Sequence, residues 1–471
     1  MNKLQIKEYF NKISNERDKW RRRNSYYHKD IQFLLSFLIP RQSKVLDVGC
    51  STGDVLASIH TNVGKGIDFS PAMVAVAKSK YPSLNFEVMD VENLELNEKY
   101  DYIILSDVIG FLNDVQGTFQ GLHKVSHNKT KVIITCCSQF WEPALKLFGK
   151  LHLKMRQPIQ NWLSRGDIEN ILYLAGFEVI KKGERLLCPK YIPLISTFLN
   201  NVVAKLPLIR RLCLVNYFIA RPKTGNQITS IPAATVSVII PARNEKGNIE
   251  DAIKRVPKMG EHTEIVFVEG HSTDETLQEM ERVKIAYPNV DIKILVQDGK
   301  GKGDAVRKGF DAACGDILMI LDADLTVRPE ELPKFYQAIT NGAGEFINGS
   351  RLVYQLENDS MRTLNIAGNK FFSLMFSWLL DQRIKDTLCG TKVLRKENYE
   401  KIKKGREFFG DFDPFGDFDL LFGAAKLNLK IIDLPIRYQA RSYGITNISR
   451  FKHGWLLLKM VLFAMRKIKF V

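Results

Sequence analysis

Two aspartates stand one residue apart at the end of an apolar run, in the stretch ILMILDADLTV from Ile317 to Val327. A solvated loop would be served equally well by Asn or Ser. Carboxylates that follow a buried strand can hold a hard divalent cation such as Mg²⁺ or Mn²⁺, and that cation can bridge a diphosphate. Asp322 and Asp324 are therefore candidate metal ligands.

A second candidate site lies near the N-terminus, in KVLDVGCSTGDVL from Lys44 onward. An apolar strand runs here into a turn of small residues and then into a helix-like segment. Gly49 and Gly53 let the backbone approach a ligand. Asp68 follows a second short strand, where a carboxylate can accept both hydroxyls of a ribose. A dinucleotide fold would present GxGxxG, but GCSTG lacks the third glycine, so a pyrophosphate is not the expected ligand.

This pattern resembles the class I S-adenosylmethionine-dependent methyltransferases over about residues 40–185. The resemblance implies five cofactor-binding residues, which are Asp47, Gly49, Gly53, Asp68 and Asp90. Asp68 would bind the ribose and Asp90 the adenine. The stretch YDYIILSDVIGFL resembles the fourth motif of the family, which implies that Asp107 lies near the transferred methyl group. Helix N-capping is the alternative role for Asp107.

The elements that must position Asp322 and Asp324 begin after a Pro-, Gly-, Thr- and Ser-containing linker at residues 222–234. VSVIIPARNEKGNIEDAIKRV reads as a buried strand, a turn and an amphipathic helix, and the form recurs in EIVFVEGHSTDETLQEM and GDAVRKGFDAACGDILMILDADL. Short apolar strands alternating with helices predict a mostly parallel sheet with ligands at the carboxyl ends of its strands. The predicted fold class is α/β, with two doubly wound domains.

Together these motifs resemble the family 2 inverting glycosyltransferases of the GT-A fold over about residues 235–450, and among them the enzymes that use polyprenyl phosphates, such as dolichyl-phosphate mannose and glucose synthases. The resemblance implies that Asp322 and Asp324 hold the metal and the diphosphate of a nucleotide-sugar donor. It places ten further residues around the donor: Pro241, Ala242, Arg243, Asn244, Glu245, Glu269, Asp274, Lys302, Arg307 and Arg351. The segment DTLCGTKVLRK would close the acceptor side.

The chain departs from the family pattern at two places. Where the family often has VDDGSTDGT, this chain reads VEGHSTDET, so Glu269 and Gly270 replace the two acids and base recognition stays open. Thr326 stands where some phosphate-using relatives carry a third metal ligand. A hydroxyl is a poorer ligand than a carboxylate, which predicts a lower affinity for the metal.

Acceptor activation has two routes, because a hydroxyl needs a base whereas a phosphate is already an anion and can attack unaided. FFGDFDPFGDFDLL offers four acids, and the match to the family favours Asp417 and Asp419 as catalytic residues on the acceptor side, with N-capping as the alternative for Asp419. Further on, Arg437 and Arg441 could bind the diphosphate or an acceptor phosphate through bidentate contacts. Solvated surface arginines are the alternative.

The net charge of +16 is concentrated in two acid-free stretches, residues 185–225 and the chain from Ala440 onward. Both are also rich in Leu, Ile, Phe and Tyr, which favours an anionic membrane surface over nucleic acid as the partner. The tail, residues 451–471, is predicted to be a basic amphipathic helix whose apolar side enters a headgroup boundary, with RLLCPKYIPLISTFLNNVVAKLPLIRRL as a second contact. Packing of both segments within the protein is the alternative.

Seven cysteines without a CxxC pair predict neither a disulfide framework nor a zinc site, and the charged N-terminus does not resemble a signal peptide. No uncharged apolar run approaches the roughly 18 residues that a spanning helix needs. These features predict a cytoplasmic protein, peripheral at the inner face of the membrane.

The sequence thus predicts a bifunctional enzyme: a methyltransferase domain at 1–221, a linker at 222–234, a glycosyltransferase domain at 235–450 and the tail at 451–471. Its cofactors would be S-adenosylmethionine and Mg²⁺ or Mn²⁺, its donor a nucleotide-sugar, and its acceptor lipid-linked or a glycan. Two alternatives stay open, a glycosyltransferase with a non-catalytic methyltransferase-like scaffold and a non-catalytic membrane-associated assembly module. Intact acids at Asp68, Asp322 and Asp324 argue against the second.

Overall fold

The computed structural model describes residues 3–59, 61, 63–158, 160–223, 234–351, 363–408, 417–437, 439, 441, 443 and 450–470. Most of the predicted linker lies outside the described residues, as do Asp411 and Asp413. The chain divides into two compact units, Met1–Lys223 and Thr224–Lys469. Each unit is built on one seven-stranded sheet.

The described part of the first unit combines eight α-helices with seven strands. The helices are α1 (Lys3–Arg23), α2 (Ser25–Leu38), α3 (Asp54–Ser58), α4 (Pro71–Lys80), α5 (Val115–Gly121), α6 (Glu142–Lys150), α7 (Arg165–Leu174) and α8 (Ile195–Asn201). The strands are β1 (Lys44–Val48), β2 (Val63–Asp68), β3 (Asn85–Val88), β4 (Tyr100–Ser106), β5 (Ser126–Cys137), β6 (Phe177–Arg185) and β7 (Val215–Pro222). Their order is β3-β2-β1-β4-β5-β7-β6, and β7 runs antiparallel to both of its neighbours.

Strand β1 is buried on both faces of this sheet, which explains why Val45, Leu46 and Val48 are all apolar. Leu46 and Val48 pack into the core on one side, and Val45 packs into the core on the other. The strand lies between β2 and β4, parallel to both. The carboxyl ends of these central strands therefore meet at one edge of the sheet, where open α/β sheets bind ligands.

The described part of the second unit also combines eight α-helices with seven strands. The helices are α9 (Lys246–Arg255), α10 (Thr276–Ala286), α11 (Lys302–Ala312), α12 (Leu332–Thr340), α13 (Thr363–Leu380), α14 (Lys396–Lys404), α15 (Asp417–Lys426) and α16 (Arg450–Ala464). The strands are β8 (Val236–Ala242), β9 (Thr263–Glu269), β10 (Asp291–Val296), β11 (Ile317–Ile320), β12 (Phe346–Ser350), β13 (Lys392–Arg395) and β14 (Ile431–Pro435). Their order is β10-β9-β8-β11-β13-β12-β14.

The predicted fold class is confirmed for both units, with one antiparallel strand in each sheet. In the second sheet this strand is β13, which runs antiparallel to β11 and β12. The four strands β10, β9, β8 and β11 are parallel to one another. Asp322 and Asp324 follow the last residue of β11, beside the end of β8, as the sequence predicts.

The tail differs from the prediction, because part of its apolar side is buried within the protein. Leu457 and Val461 of α16 lie in the same core as Phe376 of α13 and Phe418 of α15. The sequence places Leu457 and Val461 at a membrane headgroup boundary, but their burial in this core excludes them from that role. Trp455 and Leu462 on the same helix remain exposed. Within the described residues, no helix combines the length and the apolar character needed to cross a membrane.

Replacing Leu457 with Ala should lower the stability of the second unit by about 2–5 kcal/mol, because truncation of a buried leucine leaves a cavity. Leu462 on the same helix is the matched control, since truncation of an exposed side chain changes stability by about 0.5 kcal/mol or less. Differential scanning calorimetry of the full chain measures both variants. Equally small effects would contradict the packing of α16 into this core.

Candidate active sites

A cavity of about 520 Å³ lies at the carboxyl ends of the strands in the first unit. Its wall includes Gly49 from the loop after β1, Asp68 at the end of β2, Asp90 after β3 and Asp107 after β4. Four of the predicted methyltransferase residues therefore come together around one cavity. Most of the remaining wall is apolar.

Asp68 is fixed at the cavity wall by two backbone donors. Its Oδ1 accepts from the Ser70 amide at 2.9 Å, and its Oδ2 accepts from the Ser51 amide at 2.9 Å. Burial raises the pKa of the Asp68 carboxyl. The adjacent Asp90 forms an ion pair with Lys3 of α1. Both acids line the cavity, and their contacts with a nucleoside stay a prediction.

Gly49 is required by the shape of the loop after β1. Its φ is +71°, and an added Cβ would lie 2.3 Å from Val108 Cγ2. Asp47 and Gly53, which the resemblance places against the cofactor, are not part of the cavity wall. Asp47 is buried, which raises its pKa to about 7, and the Leu56 amide donates to it. Gly53 has a φ of +83° and immediately precedes α3.

Asp107 lies inside the cavity, where its Oδ2 accepts from the Tyr27 hydroxyl at 2.6 Å. It is not an N-cap, because the short 3₁₀ turn that follows begins after Val108. Burial raises the pKa of the Asp107 carboxyl. A carboxyl with a raised pKa is a better base than one in water once it is ionised.

The polar residues of this cavity that sequence reasoning missed include Arg17, Tyr27, His28 and Lys154. Burial lowers the pKa of His28 to about 2 and also lowers the pKa of Lys154. Arg17 Nε has no hydrogen-bond partner among the described residues. The signal that could have found three of them is the aromatic and basic stretch RDKWRRRNSYYHK in α1 and α2.

Helix α1 covers the cavity with one of its faces. Lys3, Phe10 and Arg17 follow at intervals of seven residues, and all three line the cavity. Asn11 on a neighbouring position accepts a hydrogen bond from the Ser70 hydroxyl at 2.6 Å. This contact ties α1 to the residues that also hold Asp68.

In the second unit, the predicted metal ligands are each paired with a cation of the chain itself. Lys302 Nζ lies 2.6 Å from Asp322 Oδ1, and Arg441 Nη2 lies 2.7 Å from Asp324 Oδ2. Arg441 Nη1 also lies 3.2 Å from Glu245 Oε1. Although burial acts to raise it, the Lys302 ammonium lowers the pKa of Asp322. Five of the predicted site residues thus form two groups of ion pairs, Lys302 with Asp322, and Arg441 with Asp324 and Glu245.

The residues at this edge fit a divalent cation bound together with a diphosphate. Within the described chain no cluster of three or more His, Cys, Asp or Glu side chains could hold a metal alone. Two carboxylates leave the other coordination positions to phosphate oxygens and water, as Mg²⁺ sites commonly do. Gly390 keeps this space open, because an added Cβ would lie 2.1 Å from Asp322 Oδ2. The Thr326 hydroxyl instead donates to Asp324 Oδ1 at 2.8 Å.

The loops after β8 and β9, where the sequence places the nucleotide, are tied to each other. Asn244, with φ at +57°, donates from its amide to the Ser272 hydroxyl at 3.0 Å and accepts from the Thr273 amide at 2.7 Å. Glu269 accepts from the Ser272 amide at 2.6 Å. Asp274 Oδ2 accepts from the Lys246 amide at 3.4 Å. The predicted loop residues therefore form one hydrogen-bonded rim.

Arg351 is oriented by Asp386, which is fully buried. Arg351 Nε donates to Asp386 Oδ2 at 2.8 Å, and Arg351 Nη2 donates to Asp386 Oδ1 at 2.9 Å. Burial opposes ionisation of Asp386, but Arg351 outweighs it, and the pKa of the carboxyl falls to about 2. Among the remaining predicted cations, Arg307 is half-buried on α11 and Arg437 is exposed after β14. For these two residues a role at the site stays a prediction from the sequence.

The predicted acceptor-side acids lie at the start of α15. Asp419 is the third residue of the helix, so it is not the N-cap, and it is buried. Its carboxylate accepts from Arg406 Nε at 2.8 Å. The side chain of Asp417, the first residue of the helix, lies outside the described atoms. A catalytic role for this pair stays a prediction.

Comparison with known families gives two separate matches. Residues 19–182 match a family model described as "Methyltransferase domain", and residues 237–403 match "Glycosyl transferase family 2". The low-salt glycan biosynthesis hexosyltransferase Agl6 of Haloferax volcanii is 30% identical over 237 residues, 49% of this chain and 54% of that protein. The dolichol-phosphate mannosyltransferase of Pyrococcus furiosus is 32% identical over 215 residues, 44% of this chain and 58% of that protein. The chain thus spans little more than half the length of these relatives.

Among solved structures, a methyltransferase of Thermotoga maritima, described as a possible histamine N-methyltransferase, aligns with 46% of this chain and 100% of its own, at 14% identity and a TM-score of 0.38. The glucosyl-3-phosphoglycerate synthase of Mycobacterium tuberculosis, solved with Mn²⁺ and UDP, aligns with 50% of this chain and 80% of its own, at 18% identity and a TM-score of 0.37. By the two family matches, the chain combines a methyltransferase domain at residues 19–182 with a family 2 glycosyltransferase domain at residues 237–403.

Proposed function

We propose that this chain is bifunctional in the synthesis of a cell-envelope glycan or glycolipid. One unit transfers a sugar from a nucleotide-sugar donor to a lipid-linked or glycan acceptor with a divalent cation, and the other transfers a methyl group from S-adenosylmethionine. The observation that carries the proposal is the pairing of Asp322 and Asp324 with Lys302 and Arg441 at the edge of the second sheet. The names of the relatives, which refer to dolichol phosphate and glycan biosynthesis, support this acceptor class.

In sugar transfer, the ion pairs of Lys302 with Asp322 and of Arg441 with Asp324 would be replaced by contacts with a metal ion and with phosphate oxygens. A cation bound at Asp322 and Asp324 supplies positive charge to the departing nucleoside diphosphate. Lys302 and Arg441, no longer held by those carboxylates, then donate to diphosphate or acceptor phosphate oxygens. Asp419 is the candidate base for a hydroxyl acceptor, and a phosphate acceptor needs none.

Removing the metal, or replacing Asp324 with Asn, should lower sugar transfer by about 10²–10³-fold, because the charge on the leaving diphosphate is no longer neutralised. The measurement is metal-dependent hydrolysis across a panel of sugar nucleotides, with EDTA as the second arm. Asp298→Asn is the matched control, since the exposed Asp298 pairs with Lys308 alone among the described contacts. Hydrolysis that survives both treatments would contradict the proposal.

In methyl transfer the first unit aligns groups that need little further activation. S-adenosylmethionine supplies a methyl group on an already activated sulfonium. Asp68 accepts the two ribose hydroxyls, and Asp107 takes the proton that leaves the acceptor. The cavity and its unpaired Arg17 Nε favour this activity over a scaffold that binds nothing, because a sealed core would leave no room for a ligand.

Asp68→Asn should weaken binding of S-adenosylmethionine by about 10–100-fold, because two hydroxyls lose a charged acceptor. Isothermal titration calorimetry of the full chain measures the affinity. Glu87→Gln is the matched control, since Glu87 on β3 pairs with Lys65 and does not line the cavity. If both variants bind the cofactor as the parent chain does, the assignment of Asp68 fails.

An anionic membrane surface is the proposed location of the second unit, on its cytoplasmic side. Phe371 and Leu374 of α13 and Trp455 and Leu462 of α16 are exposed, although their neighbours on both helices are buried in the core. Exposed cations accompany them, namely Lys370, Lys459, Arg466 and Lys467. Apolar side chains bordered by cations fit a headgroup boundary. This face replaces the fully membrane-facing tail that the sequence predicts.

Leu374→Glu should reduce flotation of the full chain with vesicles of phosphatidylcholine and phosphatidylglycerol, because the variant places a charge where an apolar side chain enters the boundary. Leu374 is 73% exposed, so the variant should fold. Ile285→Glu is the control, since Ile285 of α10 is 81% exposed outside this face. A parent chain that stays unbound at low salt would contradict the proposed location.

A further inference from the structure

A second apolar face lies on the first unit, beside its cavity. It is formed by α6 with its flanking residues and by the segment 186–214 between β6 and β7. Thirteen of the 27 exposed large apolar side chains in the described chain belong to it, namely Phe140, Leu147, Leu151, Leu153, Tyr191, Ile192, Leu194, Ile195, Phe198, Val202, Leu206, Leu208 and Leu212. Soluble monomers rarely expose an apolar patch of this extent without a function for it.

Helix α8 in this segment is oriented opposite to a helix that faces water. Its buried residues are Ser196 and Asn200, while Ile195 and Phe198 are exposed. Leu194, which precedes the helix, has a φ of +64° and is 85% exposed. A bulky residue rarely adopts this conformation, and such strain is retained where a function depends on it. The segment therefore exposes its apolar side chains because α8 buries its polar residues instead.

Hydrogen bonds hold this face in place. Asn200 Oδ1 accepts from the Cys188 amide at 2.8 Å, and Asn200 Nδ2 donates to the Cys188 carbonyl at 2.8 Å. Trp141 Nε1 donates to the Leu212 carbonyl at 2.8 Å and thereby joins the residues before α6 to the segment. These hydrogen bonds thus fix the backbone that carries the exposed apolar side chains.

The charge of the face identifies an anionic bilayer as its partner. Residues 143–166 and 185–223 contain no acid. Lys150 and Arg211 are exposed among the apolar side chains. Apolar residues and cations without interspersed acids match lipid chains below anionic headgroups.

The face is continuous with the cavity that contains Asp68 and Asp107. Phe148 of α6 lines the cavity, and so do Leu153, Lys190 and Leu214. Leu153 belongs to both surfaces, because it is exposed on the face and also lines the cavity. Apolar residues of the face therefore lead into the cavity that contains Asp107, and Lys154 and Lys190 also line that cavity.

We propose that the methyl acceptor is a membrane-borne amphiphile that enters the cavity at this face, with its apolar chain between α6 and the segment 186–214 and its polar head at Asp107. The inference rests on the proposed methyl transfer. An oxygen or nitrogen of the head forms the new bond to the methyl carbon, the bond from that carbon to sulfur breaks with its electron pair on sulfur, and the head's proton passes to the Asp107 carboxylate.

The test is photo-crosslinking of the full chain, with S-adenosylhomocysteine bound, to vesicles of phosphatidylcholine and phosphatidylglycerol whose acyl chains carry a diazirine. Peptide mapping by mass spectrometry should find label on the peptides that contain Phe148, Leu153 and Leu214. The double variant Leu194→Glu with Leu208→Glu should lower this label about tenfold or more, because two apolar contacts become charges. Both residues are more than four-fifths exposed and lie outside the cavity wall, so the variant should fold.

Ile285→Glu is the matched control and should leave the label unchanged, since Ile285 lies in the second unit. Label confined to α13 and α16, or an unaffected double variant, would overturn the inference and leave a protein partner as the occupant of the face. Calorimetric titration with S-adenosylhomocysteine separates the two levels of the argument. If the nucleoside does not bind, the proposed methyl transfer fails; if it binds while the cavity peptides stay unlabelled, only the membrane-borne acceptor fails.

Discussion

A buried carboxylate costs several kcal/mol unless donors or cations face it, and both sites of this chain are organised around that constraint. Asp68 is satisfied by two backbone amides, so its cavity-facing side remains available to neutral hydroxyls. Asp322 and Asp324 instead form ion pairs with Lys302 and Arg441, whose charges lie at the ends of long side chains. At Asp68 a ligand can bind without displacing the two amides. At Asp322 and Asp324 a cation can bind only if it replaces the side chains of Lys302 and Arg441.

Exchange has an energetic consequence for the second site. A divalent cation that arrived alone would displace Lys302 and Arg441 from Asp322 and Asp324, and only Arg441 would keep a second ion pair shown here, with Glu245. A cation that arrives with a diphosphate offers those partners new oxygens at the same time. The paired charges therefore favour binding of the metal and the nucleotide together over binding of the metal alone. Asp386 differs from these two carboxylates, because it is fully buried and binds one edge of Arg351 through Nε and Nη2.

Local patterns in the sequence predicted the strands, the acids at their ends and the two families, because each of these is written in a short stretch. Asp322 could be placed beyond β11 from the continuous apolar run that precedes it. The partners of these acids could not be predicted in this way. Tyr27 reaches Asp107 across 80 residues of sequence, and Arg441 reaches Asp324 across more than a hundred. The sequence also did not show which side of α16 would be buried. Its apolar residues surround the helix, and their spacing does not indicate which of them will pack in the same core as Phe376.

The exposed apolar faces follow from the same balance between burial and charge. On α16 the core takes Leu457 and Val461 and leaves Trp455 and Leu462 outside, so the face there is the remainder of a packed helix. On α8 the polar residues turn inward, where Asn200 bonds to the Cys188 backbone and the Ser196 hydroxyl donates to the Ile192 carbonyl, so the apolar side chains of this helix are left exposed.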